Sequence, residues 1–226
     1  MKILALNASP RKNKGTTDIL LNHFLEATDA QITKHYITDL DIKGCLGCFN
    51  CWTTTPGKCI HTDDMQTIIK QYAESDIIVL ATPIYNGTTT HYLQRLQERF
   101  LPTALPYQIK HGEETRHPPR HQTKPPKTVL IATAGFPDHQ AFNIAKQLYP
   151  QSLHITLPAA QTLTTPDLRK HLQPFLDAVT KAAKQLTTTG KIDPELAPKL
   201  QYQYSEEMRQ AIRDGANNYF DQQIKE

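Results

Sequence analysis

Apolar and polar positions fall along this chain in blocks of two kinds. Short, nearly continuous apolar runs occupy residues 3–6, 76–82 and 128–133, with weaker ones at 31–37 and 152–157. Runs of that length, rich in β-branched residues, suit strands buried on both faces. Between them the apolar residues return every third or fourth position. Leu20, Leu21, Phe24 and Leu25 form one such stripe, Met65, Ile68, Ile69 and Tyr72 a second, and Tyr92, Leu93, Leu96 and Phe100 a third. This spacing predicts helices with one buried face, and another helix is expected over 138–148. Asp63 or Asp64 stands where it can cap the second of them. A single long helix is expected over 166–186, with Leu168, Leu172, Phe175, Leu176, Val179 and Ala183 on one side. Pro166 at its first turn and Gly190 past its end fit that assignment.

Five strands alternating with helices imply an α/β fold, a doubly wound parallel sheet with right-handed crossovers and strand order 2-1-3-4-5. In that order a ligand sits at the carboxyl ends of the strands, near the switch between strands one and three. The loops after those two strands are the richest in polar, Gly and Pro residues, and the loop after strand two opens on the same side. Residues 1–190 read as one domain and 191–226 as a helical extension. Its helix over 205–223 carries Met208, Ala211, Ile212, Tyr219 and Phe220 on one face, which either packs back or docks on a second subunit. The stretch 102–127 is dense in proline, histidine and basic residues, so it is expected to be neither helix nor strand but a solvated excursion.

Composition narrows the picture only a little. A hydrophobic share of 38% is enough for a sheet covered by helices, and a net charge of +3 is too small to argue for nucleic acid or a membrane surface. No apolar run approaches a membrane span, and the opening strand leaves no expectation of a secretory leader. All four cysteines lie between residues 45 and 59. That clustering suits metal or redox use in a reducing cytoplasm better than a disulfide framework.

Three loops carry chemistry. After the first strand come Ser9, Arg11, Asn13, Gly15, Thr16 and Thr17 at a helix start, where free backbone N–H groups and a positive helix end can hold a phosphate. Arg11 can add a charge-assisted contact; an ordinary βα turn explains the same residues equally well. Neither a Walker lysine loop nor a Gly-x-Gly-x-x-Gly fingerprint is present. After the third strand, Pro83, Ile84, Tyr85, Asn86 and Gly87 set a tight backbone path with an aromatic face and a side-chain amide, the surroundings a flavin ring requires. Cys45-x-x-Cys48-x-x-Cys51, then Cys59 after seven residues, has the spacing of a cubane iron–sulfur site. Structural zinc fits this spacing less well. A Cys-x-x-Cys redox pair and four reduced thiols packed in a tight loop stay open beside it.

Together these segments resemble the flavodoxin-fold family that includes NAD(P)H-dependent FMN reductases and the iron–sulfur flavoproteins. Ser9-Pro-Arg11 with Gly15-Thr-Thr17, Gly44 to Trp52, Gly57-Lys-Cys59, Asp63-Asp-Met65, Thr82 to Gly87 and Gly135-Phe-Pro137 carry the likeness. Asn7-Ala8 departs from it, standing where such proteins more often have a glycine before the serine, and Thr16 stands where Asn is common. The resemblance implies FMN, its phosphate at Ser9, Arg11, Thr16 and Thr17, its ring at Pro83 to Gly87, and Ala134 and Gly135 lining the far edge. It implies NAD(P)H as donor and a small-molecule acceptor such as a quinone, flavin, nitro or azo compound, with no protein acid or base required. An electron carrier that never uses a nicotinamide, and a flavin-binding interaction or sensor protein, are the alternatives. The spacing permits a [4Fe–4S] cluster on Cys45, Cys48, Cys51 and Cys59. A cytoplasmic homodimer or tetramer, with no nucleic acid or membrane partner, is the expected state.

Overall fold

The computed structural model describes residues 1–120 and 125–224. The sequence expectations for 121–124, within the proline-rich excursion, and for the final two residues of the extension lie outside the described residues.

Strand β1 (Lys2–Asn7) pairs in parallel with β2 (Gln31–Tyr36) on one side and β3 (Ile77–Tyr85) on the other. A two-residue β4 (Thr88–Thr89) folds back antiparallel on β3. A short hairpin, β5 (Ile109–His111) with β6 (Glu114–Arg116), stands apart. β7 (Lys127–Thr133) and β8 (Leu153–Leu157) complete the parallel sheet in the order β2-β1-β3-β7-β8. Counting its five parallel strands alone, this is the expected 2-1-3-4-5.

Successive side chains of each strand point to opposite faces, and both faces are covered. Ile3, Ala5, Ile77, Val79, Val129 and Ile131 pack beneath α1 (Thr16–Glu26) and α6 (Gln173–Thr188). Leu4, Leu6, Ile78, Leu80 and Leu130 pack beneath α2 (Met65–Glu74), α3 (His91–Glu98) and α4 (Asn143–Leu148). Each fully buried Leu, Ile or Phe here contributes about 1.5–3 kcal/mol relative to exposure.

The structure corrects four expectations. The helix foreseen over 166–186 is two, α5 (Pro166–His171) and α6, because Pro174 has no N–H to give the preceding turn and its ring crowds the carbonyl four residues back. The first turn of the 138–148 helix is 3-10 over His139–Phe142. Asp64 occupies the N-cap of α2 without bonding the helix. Its carboxylate accepts from the Asp41 amide at 2.7 Å, while Asp63 Oδ1 takes the Met65 N–H at 3.2 Å. The stretch from residue 102 does contain strand; residues 106–115 are exposed as expected, while its two ends pack against the cysteine loop, as the site makes clear below.

Past α6, Leu196 and Leu200 are buried in the core and the Tyr202 amide donates to Thr156 O at 3.0 Å, so this segment lies along β8. Ser205 caps α7 (Glu206–Gln223) by accepting from the Met208 amide. Met208 and Ile212 are half-buried, but Tyr219, Phe220 and Ile224 stand exposed.

Candidate functional site

The loop after β1 is built by a buried polar network. Asn7 donates from Nδ2 to Asp18 Oδ1 at 2.8 Å and accepts the Ser9 amide on Oδ1 at 2.8 Å. Asp18 is neutralised by Lys34 at 2.6 Å and accepts from Tyr36 OH at 3.3 Å. Asn7, part of the departure from the family pattern, thus ties the start of the loop to α1 by side-chain bonds. Ser9 is buried, and its Oγ accepts from the Arg11 amide at 3.3 Å. A Cβ on Gly15 would sit 3.0 Å from Ser9 Oγ and 3.1 Å from Arg11 Cβ, so any larger residue would have to push those side chains aside for the loop to close this tightly. No side chain caps α1. Its first-turn amides, at Thr16 and Thr17, are therefore left for a bound anion. Arg11 and Asn13 are exposed at the rim, and Lys12 takes the left-handed conformation at φ 48°.

The other rim elements are tied to this loop. Thr90 Oγ1 donates to Ala8 O at 3.0 Å, and the Ala8 amide donates to Ala81 O at 2.8 Å. The Thr17 and Thr133 hydroxyls bond each other at 2.7 Å, both buried, joining α1 to the end of β7. β3 continues through Pro83, Ile84 and Tyr85 instead of stopping at residue 82. It then reverses at Asn86 (φ 49°) and Gly87 (φ 78°), pairing Ile84 with Thr89 and Tyr85 with Thr88. This is the primed two-residue turn that Asn-Gly favours. It leaves Tyr85 47% exposed. Across the sheet edge, Ala134 is pinned to the loop after β8, donating to Leu157 O at 3.1 Å and accepting from the Ala160 amide at 2.9 Å. Gly87 and Gly135 both face open space, and Phe136 beside the latter is 76% exposed. The structure therefore gathers Ser9 to Thr17, Pro83 to Gly87 and Ala134–Gly135 along the carboxyl edge of the parallel strands.

The cysteine loop opens after β2. Cys45 and Cys48 are exposed, Cys59 is half-buried and Cys51 is buried; all four are free thiols. All four line one hollow of about 20 Å³, with Phe49, Arg99 and Pro102 among its other walls. Burial first, then the nearby charges of Cys59, Cys45 and Cys48, push the Cys51 thiol up. Among the described residues no three His, Cys, Asp or Glu side chains stand close enough to share a single metal ion.

Two supports fix this loop. The first is the stretch read from sequence as a solvated excursion. Trp52 Nε1 donates to Leu101 O at 3.2 Å and Ala104 O at 3.0 Å, and its ring meets His117 at 4.7 Å. Arg120 donates to Pro102 O, Cys51 O and Ala104 O at 2.9, 3.2 and 3.3 Å. A Cβ on Gly57 (φ 82°) would meet Arg120 Cδ at 3.1 Å. Residues 101–120 are a buttress, because their carbonyls are the acceptors that an indole and a guanidinium need.

The second support is Arg99, just past α3, whose side chain is 1% exposed. It grips Asp63 through two bonds of 2.7 and 3.0 Å and donates to Lys43 O at 2.6 Å. Burial alone would raise the Asp63 pKa, but the Arg99 bonds and charge and the Lys43 and Met65 amides hold it below the usual carboxylate range. Burial works against the Arg99 charge, yet Asp63 and then Cys59 raise its pKa.

Sequence reasoning missed Arg99, Asp18 and Thr133, and met Asn7 only as a departure from the family pattern. Arg99 left a trace as a charge three residues after Leu96 on an otherwise apolar helix face.

Comparison with known proteins bears on this geometry. The chain is 32% identical over 113 residues to an iron–sulfur flavoprotein of Methanocaldococcus jannaschii, covering 49% of this chain and 57% of that one. It is 36% identical over 104 residues to an iron–sulfur flavoprotein of Archaeoglobus fulgidus, covering 44% and 48%. The chain thus spans about half the length of these relatives. Among solved structures, an FMN-dependent NADH-azoreductase from Bacillus anthracis in complex with FMN superposes with a TM-score of 0.60 at 14% identity, over 83% of this chain and 99% of that one. An NAD(P)H:quinone oxidoreductase from Methanothermobacter marburgensis superposes with 0.58 at 12%, over 82% and 96%. These likenesses show the shared fold. The family model of the NADPH-dependent FMN reductases matches residues 1–159, and the chain belongs to that family.

Proposed function

We propose that the chain is an FMN-dependent oxidoreductase that draws electrons from NAD(P)H and passes them to a small-molecule acceptor such as a quinone, flavin, nitro or azo compound. The observation that carries this reading is the uncapped start of α1 behind the Gly15 turn, with the open Asn86–Gly87 turn on the same sheet edge. A bound flavin would supply the redox chemistry. The protein's share is position. Ser9, Arg11 and Asn13 and the Thr16 and Thr17 amides hold the phosphate. Pro83 to Gly87 present backbone and Tyr85 to the ring, and Ala134 and Gly135 leave room at the far edge. Exposed Tyr85 and Phe136 exclude water from the ring faces when a nicotinamide or acceptor stacks there.

The test is reconstitution with FMN, followed by NADPH oxidation with and without a soluble quinone. One FMN per chain and quinone-dependent oxidation are expected. Stoichiometric FMN with no NADPH turnover leaves an electron carrier; no FMN binding overturns the reading.

The four cysteines around one hollow and the names of the relatives support a second cofactor, a [4Fe–4S] cluster held by Cys45, Cys48, Cys51 and Cys59. Its donors fit in kind and number, four cysteines around one hollow. Anaerobically purified protein should hold about four irons per chain, the cubane stoichiometry, and Cys48→Ala should lose iron while keeping FMN. Zinc in place of iron, or no metal after iron-supplemented anaerobic expression, refutes the cluster and leaves the flavin reading intact.

The free thiols suit the cytoplasm. Among the described residues no helix is long and apolar enough to cross a membrane. The exposed Tyr219, Phe220 and Ile224 of the terminal helix support assembly into a homodimer or tetramer. A monomeric mass at micromolar concentration would refute that.

A further inference from the structure

Among the groups lining the cysteine hollow, Arg99 is the one buried cation. It is also unusually constrained. Asp63 accepts from both terminal nitrogens, and the Lys43 carbonyl accepts a further hydrogen bond from one of them. The Asp63 side chain, 0% exposed, has its remaining acceptor sites filled by the Lys43 and Met65 amides at 3.0 and 3.2 Å. The guanidinium therefore cannot swing away from the hollow without stranding a buried carboxylate. Its Nε–H is buried and has no partner among the described residues, and Arg99 lines the same hollow as Cys59. A buried ion pair of this kind is poor evidence for stability by itself, since desolvation offsets most of its attraction. An unpartnered N–H left on the same guanidinium adds to that cost. The arrangement makes chemical sense if negative charge sits in the hollow.

We propose that Arg99 is a positioning cation for a metal–sulfur centre on Cys45, Cys48, Cys51 and Cys59, fixed beside Cys59 by Asp63 so that it favours the more negative, reduced state of that centre. The proposal rests on the cluster reading above and goes beyond it. Four thiolates give an iron–sulfur centre a net negative charge that grows by one on reduction, and net charge, hydrogen bonds to sulfur and exposure set its potential. The Arg99–Asp63 pair is neutral as a whole, but Arg99 lines the hollow and Asp63 does not, so the pair turns its positive end to the centre and, inside a low-dielectric wall, stabilises the added electron with less screening than exposed lysines suffer. The electron comes from the bound flavin or from an external reductant; no bond in the protein is made or broken.

The experiment is an anaerobic redox titration of the full-length holoprotein, following the reduced cluster by electron paramagnetic resonance, with iron and FMN content measured on the same samples. The variants are Arg99→Gln, Arg99→Lys and the double change Arg99→Gln with Asp63→Asn, which removes the pair as a unit and leaves no unpaired buried charge. The double variant is expected to hold its cluster with the reduced-to-oxidised ratio at a fixed potential lowered about tenfold, a shift of about 59 mV for one electron. Arg99→Lys, which keeps the charge, should lie between it and the unchanged protein. A cluster potential in the double variant equal to that of the unchanged protein overturns the proposal while leaving the cluster reading standing. Iron lost from Arg99→Gln but retained in Arg99→Lys supports it. Iron lost alike from all three, with FMN and circular dichroism unchanged, reduces Arg99 to a packing residue and overturns it. An unchanged protein without iron overturns this proposal and the cluster reading together.

Discussion

Replacing Thr17 by Val removes one half of the hydroxyl pair that joins α1 to β7. Thr17 and Thr133 are 1% and 2% exposed, their oxygens are 2.7 Å apart, and neither side chain bonds anything else among the described residues. Val matches Thr in shape and in helix propensity, so the change is almost purely the loss of a polar atom. The stranded Thr133 hydroxyl then pays its desolvation, about 1–3 kcal/mol. Thr133→Val should cost a similar amount. With both replaced, no buried polar atom is left unpaired, and the double variant should return close to the parent. The coupling between the sites, the double change less the sum of the two singles, is therefore about 2–6 kcal/mol in magnitude, and each single change should lower the melting temperature by about 2–4 °C per kcal/mol for a chain of this size. Urea unfolding of flavin-free protein measures it through shifts in midpoint at constant slope. Additive losses, with the double variant as unstable as the sum of the singles, would show that this pair is not what closes the rim.

Other consequences can be checked alongside. Arg11→Ala should weaken FMN by about 1.5–3 kcal/mol, the size of a charge-assisted hydrogen bond; equal affinities by flavin fluorescence titration would remove Arg11 from the phosphate site. The Asp63 carboxyl is held below its ordinary value, so its share of stability is present above the unfolded carboxylate pKa of about 3.9 and is lost as pH falls through the lower folded value. Asp63→Asn should cost about 3–5 kcal/mol at neutral pH by stranding Arg99, and should flatten the acid limb of stability against pH; an unchanged acid limb refutes the assignment. Trp52→Phe deletes two bonds to the buttress and should speed alkylation of Cys51 in the metal-free protein, with an unchanged rate counting against the buttress.

The parallel sheet and its flanking helices were legible because apolar periodicity reports burial directly, and residues 3–6 and 77–82 are buried. The resemblance drawn from the loop motifs holds for residues 1–159. What the pattern hid falls into two kinds. Some signals were local and under-weighted: Pro174 inside an apparent helix marks the break between α5 and α6, and Asn86-Gly87 marks a hairpin that extends β3 past Pro83. Others have no local signature. That Trp52 and Arg120 would find the carbonyls of 101–104, or Thr17 the hydroxyl of Thr133, depends on contacts made across 16 to 116 positions of chain. The polar, proline-rich composition of the excursion described its exposed middle, 106–115, correctly and missed the packing of its ends, whose backbone acceptors are met by Trp52 of the cysteine loop and by Arg120.

The cysteine loop and its buttress enter the chain at different places, one between β2 and α2, the other between α3 and β7. Neither belongs to the alternating core, yet each completes the other. Without residues 101–120 the Trp52 indole loses both of its acceptors, and without the cysteine loop the Arg120 guanidinium loses the Cys51 carbonyl. Two segments bound in this way are separate in sequence and one unit in structure. A graft that moves the cysteine loop alone onto another sheet would carry the thiols without the floor they stand on.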